Sequence, residues 1–173
     1  MSAVQVAIVM GVSGAGKSSV GRALADRLGW AFHDADDYHS EAAREKMARG
    51  EGLTDDDRAP WLGRVRQVIE QHLQEETGAV VACSALREAY RHALARPDEP
   101  VRFLWLDVPP DVLRERLGER DDHFAGTSLL PSQLATLEPP EGEQVIRLDG
   151  AAPLRGVVAE AARRFAKAKG AAP

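Results

Sequence analysis

The stretch GVSGAGKS, Gly11 to Ser18, lies between an apolar run and a helical pattern, and it constrains the fold more tightly than any other segment. It satisfies G-x-x-x-x-G-K-[ST] in full, and that spacing works only where a strand ends as the loop begins and a helix starts as it closes. The glycines let backbone N–H groups turn inward on phosphates, and the helix adds the positive end of its dipole. The lysine reaches the outer phosphates and the serine hydroxyl ligates Mg²⁺. Gly11, Val12, Ser13, Gly14, Ala15, Gly16, Lys17, Ser18 and Ser19 are therefore the expected nucleotide-binding residues, with Lys17 catalytic and Ser18 at the metal.

The rest of the chain reads as alternating strand and helix. Val4 to Met10 is apolar on both parities, the pattern of a central parallel strand covered on both faces. Lys17 to Leu28 sets Val20, Ala23, Leu24 and Leu28 on one helical face and stops at Gly29. Strands are expected at Trp30 to Asp34, 79–83, 101–107 and, more weakly, 144–149. A helix begins at Ser40 and is closed by Gly50. Another carries Trp61, Leu62, Val65, Val68, Ile69 and Leu73 at three- and four-residue spacing, and a last one covers Leu154 to Lys169. Such alternation implies an α/β fold with a parallel sheet flanked by helices. At 173 residues, 1–173 is expected to form a single domain. The tail AKAKGAAP is expected to fray.

A 12-residue helix retreats about 18 Å along the sheet, and a five-residue strand returns about 17 Å. Asp34 and Asp36, in the stretch FHDADDYH, should therefore reach the same carboxyl edge as the phosphate loop, where open α/β sheets bind ligands. As a zinc site this stretch is poor, because the one cysteine, Cys83, is far away and His33 and His39 do not share a helical face. Asp37 suits the N-terminus of the helix near Ser40. Of Asp34 and Asp36, one can assist the metal through water and the other can accept or orient the proton of a phosphoryl acceptor.

Thr54 is a good N-cap, and Asp55 to Asp57 suit the first turn that follows. Arg58 does not, since a cation there opposes the dipole; a bound anion or an ion pair with those acids accounts for it better. Cys83 reads as a small core residue on an apolar strand, and Ser84, at that strand's carboxyl end, as a lining residue of the acceptor pocket. Arg114 and Arg116 are explained as cations at the end of a helix. Arg120 stands at the expected hinge of a mobile lid, from which a guanidinium can swing onto the nucleotide.

The net charge of −5 offers no broad cationic field, so nucleic acid and anionic membranes are not expected partners. The opening AVQVAIVMGV is too short for a membrane span and lacks the cations of a signal peptide. A single cysteine suits the cytoplasm. The chain contains no asparagine, so the N-K-x-D signature of a GTP-binding switch protein cannot exist.

Taken in order, MGVSGAGKS, DADDYH, EKMARGEGLTDDDRAPWL, ACSALREAYR, RDDHF and SLLPSQLATLEPP resemble the gluconate kinases, small P-loop kinases related in fold to shikimate and adenylate kinases. The resemblance covers nearly the whole chain. It implies a three-layer P-loop kinase fold with a lid at about 120–130, and ATP-dependent, Mg²⁺-requiring phosphorylation of D-gluconate at its 6-hydroxyl by a cytoplasmic homodimer. It further implies that Asp36 meets the acceptor hydroxyl and Asp34 is the metal's outer-shell partner. Arg58 answers the substrate carboxylate and Arg120 belongs to the lid, with Arg87, His123 and Gln133 on the substrate side. A kinase for shikimate or a nucleotide remains the alternative within the same chemistry.

Overall fold

The computed structural model describes residues 5–118 and 124–170, the side chains of 124–128 and 168–170 excepted. The apolar run after Gln5 becomes β1 (Val6–Met10), buried along its whole length. Its two parities face two different cores. Ala7 and Val9 look into one, with Val80, Leu104, Leu106 and Leu148 of neighbouring strands. Val6, Ile8 and Met10 look into the other, with Ala79, Val81, Val101 and Phe103. That double burial is why the strand shows no alternation in sequence.

Four further strands, β2 (Ala31–Asp34), β3 (Ala79–Ala82), β4 (Val101–Asp107) and β5 (Val145–Asp149), complete a parallel sheet in the order β2-β3-β1-β4-β5. The first core is covered by α1 (Lys17–Leu28), α5 (Pro110–Gly118), α6 (Phe124–Thr136) and α7 (Leu154–Gly170), through residues such as Leu24, Leu113, Leu130 and Phe165. The second is covered by α3 (Asp55–Glu75) and α4 (Glu88–Leu94), through Trp61, Leu62, Val65, Ile69, Tyr90 and Leu94. Helix, sheet and helix make three layers, as expected.

The connection after β2 sets up the site. A single 3₁₀ turn (Ala35–Tyr38) leads through His39 and Ser40 into α2 (Glu41–Ala48), where the Ser40 hydroxyl accepts the Ala43 N–H. Thr54 caps α3 as anticipated: its hydroxyl accepts the Asp57 N–H at 3.1 Å, while the Asp57 carboxylate accepts the Thr54 N–H at 2.9 Å. Lys46 of α2 also donates to Asp57 at 2.7 Å. That bond, then those from Thr54, hold the Asp57 carboxyl down at about 2.

Two helices were not drawn from the sequence. One is α4, only seven residues long. The other is α6, which takes up the second part of the expected lid segment and carries Pro131 in its interior. Arg120 and His123 lie outside the described residues. Among the described residues no helix is long and apolar enough to cross a membrane.

Candidate active site

The carboxyl ends of β1, β2 and β3 form one edge, and the phosphate loop, Asp34 and Asp36 meet there. The phosphate loop leaves β1 and enters α1. Gly14 and Gly16 have φ of 84° and 96°, a left-handed backbone that carries no penalty only in glycine. The Lys17 ammonium donates to the Val12 carbonyl at 3.1 Å, curling back over the loop. Burial lowers its pKa, while Asp36, the Cys83 side chain and Asp34 act to raise it.

Asp34 ends β2 at the loop. Its Oδ2 accepts the Ser18 hydroxyl at 2.8 Å and its Oδ1 accepts the Asp36 N–H at 3.0 Å. One carboxylate therefore ties the phosphate loop to the turn that carries Asp36. The Ser18 hydroxyl and Asp34 carboxylate are hard oxygen donors, the set that suits Mg²⁺ held by one or two carboxylates and substrate phosphates. Asp36 is pushed above the ordinary carboxylate range by the surrounding protein and by Asp34, against the pull of Lys17. Because 85% of its side chain is exposed, water screens that rise.

A second polar cluster forms where α3 meets α4. Arg58 Nη1 donates to the Tyr90 hydroxyl at 2.9 Å, and that hydroxyl donates to Asp55 Oδ1 at 2.6 Å. Arg58 lies 3.5 Å and Arg87 4.0 Å from the same carboxylate. Both guanidiniums sit over the Tyr90 ring. The anion that Arg58 called for is, in this structure, Asp55.

The two histidines flanking the acids part company. His33 faces His72 at 2.9 Å and the Tyr38 hydroxyl at 3.2 Å. His39 stacks on Trp61, with ring centroids 4.3 Å apart and 15° between planes. Burial, then Arg44, Arg64 and Arg58, hold His39 down from 6.5 to about 4. Its stabilising contribution is thus complete above pH 6.5 and is lost as pH falls toward 4, because the unfolded chain takes up the proton first. His33, lowered by burial and by His72, acts in the same sense. We expect acidification through this window to cost at most about 3 kcal/mol at His39. Melting temperatures from pH 7.5 to 4.5 check this: the wild type should fall further than His39→Phe, and parallel curves would contradict the assignment.

Several placements depart from the sequence reading. Gln133 contacts the phosphate loop: its Oε1 accepts the Ser13 N–H at 2.6 Å. Ser84 stands beside the loop, its backbone carbonyl accepting the Gly11 N–H at 3.3 Å, a contact of its main chain and not of the side chain expected to line the acceptor pocket. Arg116, read as an ordinary helix-end cation, reaches the carbonyls of Gly14, Ala15 and Gly150 at 3.2, 3.4 and 2.7 Å, bracing the loop against the turn after β5. Tyr90 was missed altogether, since a tyrosine in a short helix carries no sign of what its hydroxyl will meet. Cys83 is buried, with its thiol pushed up to about 12 by desolvation, and is inert as expected.

The shikimate kinase family profile matches residues 13–137, from the phosphate loop through α6. The gluconokinase of Gluconobacter oxydans (strain 621H) is 46% identical over 159 residues, covering 91% of this chain and 89% of that protein. The chain belongs to the gluconokinases of the shikimate kinase family. Two solved structures agree with this membership. A sugar kinase from Janibacter sp. HTCC2649 is 40% identical with a TM-score of 0.85, covering 92% of this chain and 93% of that one. A gluconokinase from Sinorhizobium meliloti 1021 is 40% identical with a TM-score of 0.81, covering 96% and 94%. In this gluconokinase-family chain, Asp34 joins the phosphate loop to the turn that carries Asp36, and Arg58, Arg87 and Tyr90 gather around Asp55.

Proposed function

We propose that this chain transfers the γ-phosphoryl group of ATP to the 6-hydroxyl of D-gluconate, giving 6-phosphogluconate and ADP. The observation that carries the acceptor's identity is the 46% identity to a gluconokinase over 91% of the chain. The gathering of Arg58, Arg87 and the Tyr90 hydroxyl around Asp55 supports it, as a cluster able to hold a carboxylate, whose place a substrate could contest. A loop that cradles phosphates says only that a nucleotide is used; a carboxylate receptor on the acceptor side selects a hydroxy acid.

In this reading the loop N–H groups and Lys17 bind the β- and γ-phosphates, whose negative charge keeps the half-buried lysine protonated. Ser18 and Asp34 would hold Mg²⁺, which neutralises charge on the phosphates when bound. Asp36 orients the acceptor hydroxyl and accepts its proton as the phosphoryl group leaves ADP. Arg58, with Arg87 beside it, holds the far carboxylate, setting the chain length between the charged end and the reacting hydroxyl. Arg120 and His123 of the lid complete the proposal, with Ser84 as a further acceptor-pocket residue and Gln133 against the phosphate loop. The resemblance also supports a cytoplasmic homodimer acting on a small molecule.

Arg58→Ala should raise KM for gluconate by about ten- to a hundredfold, the loss of one charge-assisted pair, and leave KM for ATP within twofold. Equal effects on both substrates would return Arg58 to a structural ion pair with Asp55. The acceptor itself is tested by ADP release across gluconate, its epimers, shikimate and nucleoside monophosphates. Gluconate should give the highest kcat/KM, and a preference for shikimate would overturn the reading.

A further inference from the structure

His39 follows the 3₁₀ turn, and the site described so far gives it no task. Its side chain is only 5% exposed. Trp61 holds it from one side by stacking, and the Trp61 indole N–H bonds the Ala35 carbonyl at 2.6 Å, so this tryptophan grips the turn at both ends. The charged groups around the imidazole come from three elements: Asp36 of the turn, Arg44 of α2, and Arg58 and Arg64 of α3. With three guanidiniums near it, the ring is neutral at pH 7 and carries one N–H and one bare nitrogen.

Neither nitrogen is explained by packing. Phenylalanine would stack on Trp61 equally well and leave no polar atom buried. Nδ1 has no hydrogen-bond partner among the described residues, the one buried side-chain polar atom among them in that position. An orphan of this kind costs about 1 to 3 kcal/mol and calls for an explanation. Nε2, in contrast, faces Asp36 Oδ1 at 3.8 Å. That is too long for a hydrogen bond, but the Asp36 side chain is free to turn, and catalytic hydrogen bonds are often long until the substrate is bound.

We propose that His39 is the positioning residue of Asp36: its Nε2–H donates to Asp36 Oδ1 when the acceptor is bound, leaving Oδ2 to face the incoming hydroxyl. The proposal rests on the reading of Asp36 as the carboxylate that meets that hydroxyl. Only the tautomer with hydrogen on Nε2 offers Asp36 a donor, so Nδ1 is the bare nitrogen. Trp61 sets the plane of the ring and thereby the direction of the N–H. Without this bond, an exposed carboxylate on a turn keeps its rotational freedom, and the reacting oxygen is correctly placed for less of the time.

Three variants separate this role from a structural one. The Gln side chain places its amide N–H near the position of Nε2, the Asn amide near that of Nδ1, and Phe keeps only the ring. His39→Gln should retain kcat within about threefold. His39→Asn and His39→Phe should lose about tenfold in kcat with gluconate, less than the roughly hundredfold that a badly misplaced group can cost, with KM for ATP unchanged. His39→Phe should melt at or above the wild-type temperature, since it removes a buried unpaired nitrogen. In an Asp36→Asn background, adding His39→Phe should cost less than a further twofold, because a residue acting through another has nothing left to position.

Wild-type kcat in His39→Phe, equal kcat in the Asn and Gln variants, or full additivity with Asp36→Asn would each overturn the proposal. If His39→Phe does not fold, the Asn and Gln pair decides. An Asp36→Asn enzyme with undiminished kcat would instead sink the reading of Asp36, and the proposal with it. Loss of activity in Asp36→Asn alongside an unaffected His39→Phe would sink the positioning role alone.

Discussion

Replacing Lys17 by alanine is expected to lower kcat by a factor on the order of 10² to 10³, with the fold intact. The Lys17 ammonium donates to the Val12 carbonyl at 3.1 Å and has Asp36 and Asp34 as its acidic neighbours. It is thus held over the loop, and in the proposed reaction it meets the charge that shifts from the γ- toward the β-phosphate. Such a contact strengthens as charge develops, so its loss falls on kcat more than on nucleotide affinity. The fold does not need it: the cores on both faces of the sheet are built from other residues. Turnover under saturating substrates, with a melting curve as control, is the measurement. Near-normal turnover in Lys17→Ala would remove the phosphate loop from its central role.

The second large effect is expected at the paired carboxylates, and it should divide by residue. Asp36→Asn keeps shape and a hydrogen bond but cannot take a proton, so kcat should fall about a hundredfold, the lower end for general-base loss given a loose transition state. ATP affinity and Mg²⁺ dependence should remain near wild type. Asp34→Asn should instead raise the Mg²⁺ concentration needed for half-maximal rate, because its Oδ2 is the partner of the Ser18 hydroxyl. The Asp34 Oδ1 bond to the Asp36 N–H predicts a smaller secondary loss of kcat in the same variant. Turnover against Mg²⁺ concentration for both variants tells the roles apart. Rescue of Asp36→Asn by extra Mg²⁺, with Asp34→Asn unmoved, would mean they are exchanged; full activity in both would leave the acids as a solvated helix cap.

Much of this site was legible because local rules place it. The phosphate loop is a contiguous motif whose function lies in its own backbone. Asp34 and Asp36 could be brought to it by counting, since rise per residue in helix and strand is nearly invariant. Thr54 and Asp57 were readable as an N-terminal cap, which is also a matter of a few adjacent residues. Arg58 betrayed itself by standing against its own helix dipole.

What the amino-acid sequence determined by itself is therefore the set of local structures and their order: a buried first strand, the phosphate loop, alternating strands and helices, and acids at the carboxyl edge. The tertiary structure decided which side chains meet across elements. Arg116 and Gly14 are 102 residues apart, and Gln133 and Ser13 are 120 apart. The Tyr90 hydroxyl found Arg58 and Asp55 from a different helix, and His39 met Trp61 only because α3 packs against the turn after β2. Periodicity shows which face of a helix is apolar, but not which neighbour a polar atom at its rim will find. That depends on how the layers stack, and stacking is settled by the two cores as a whole.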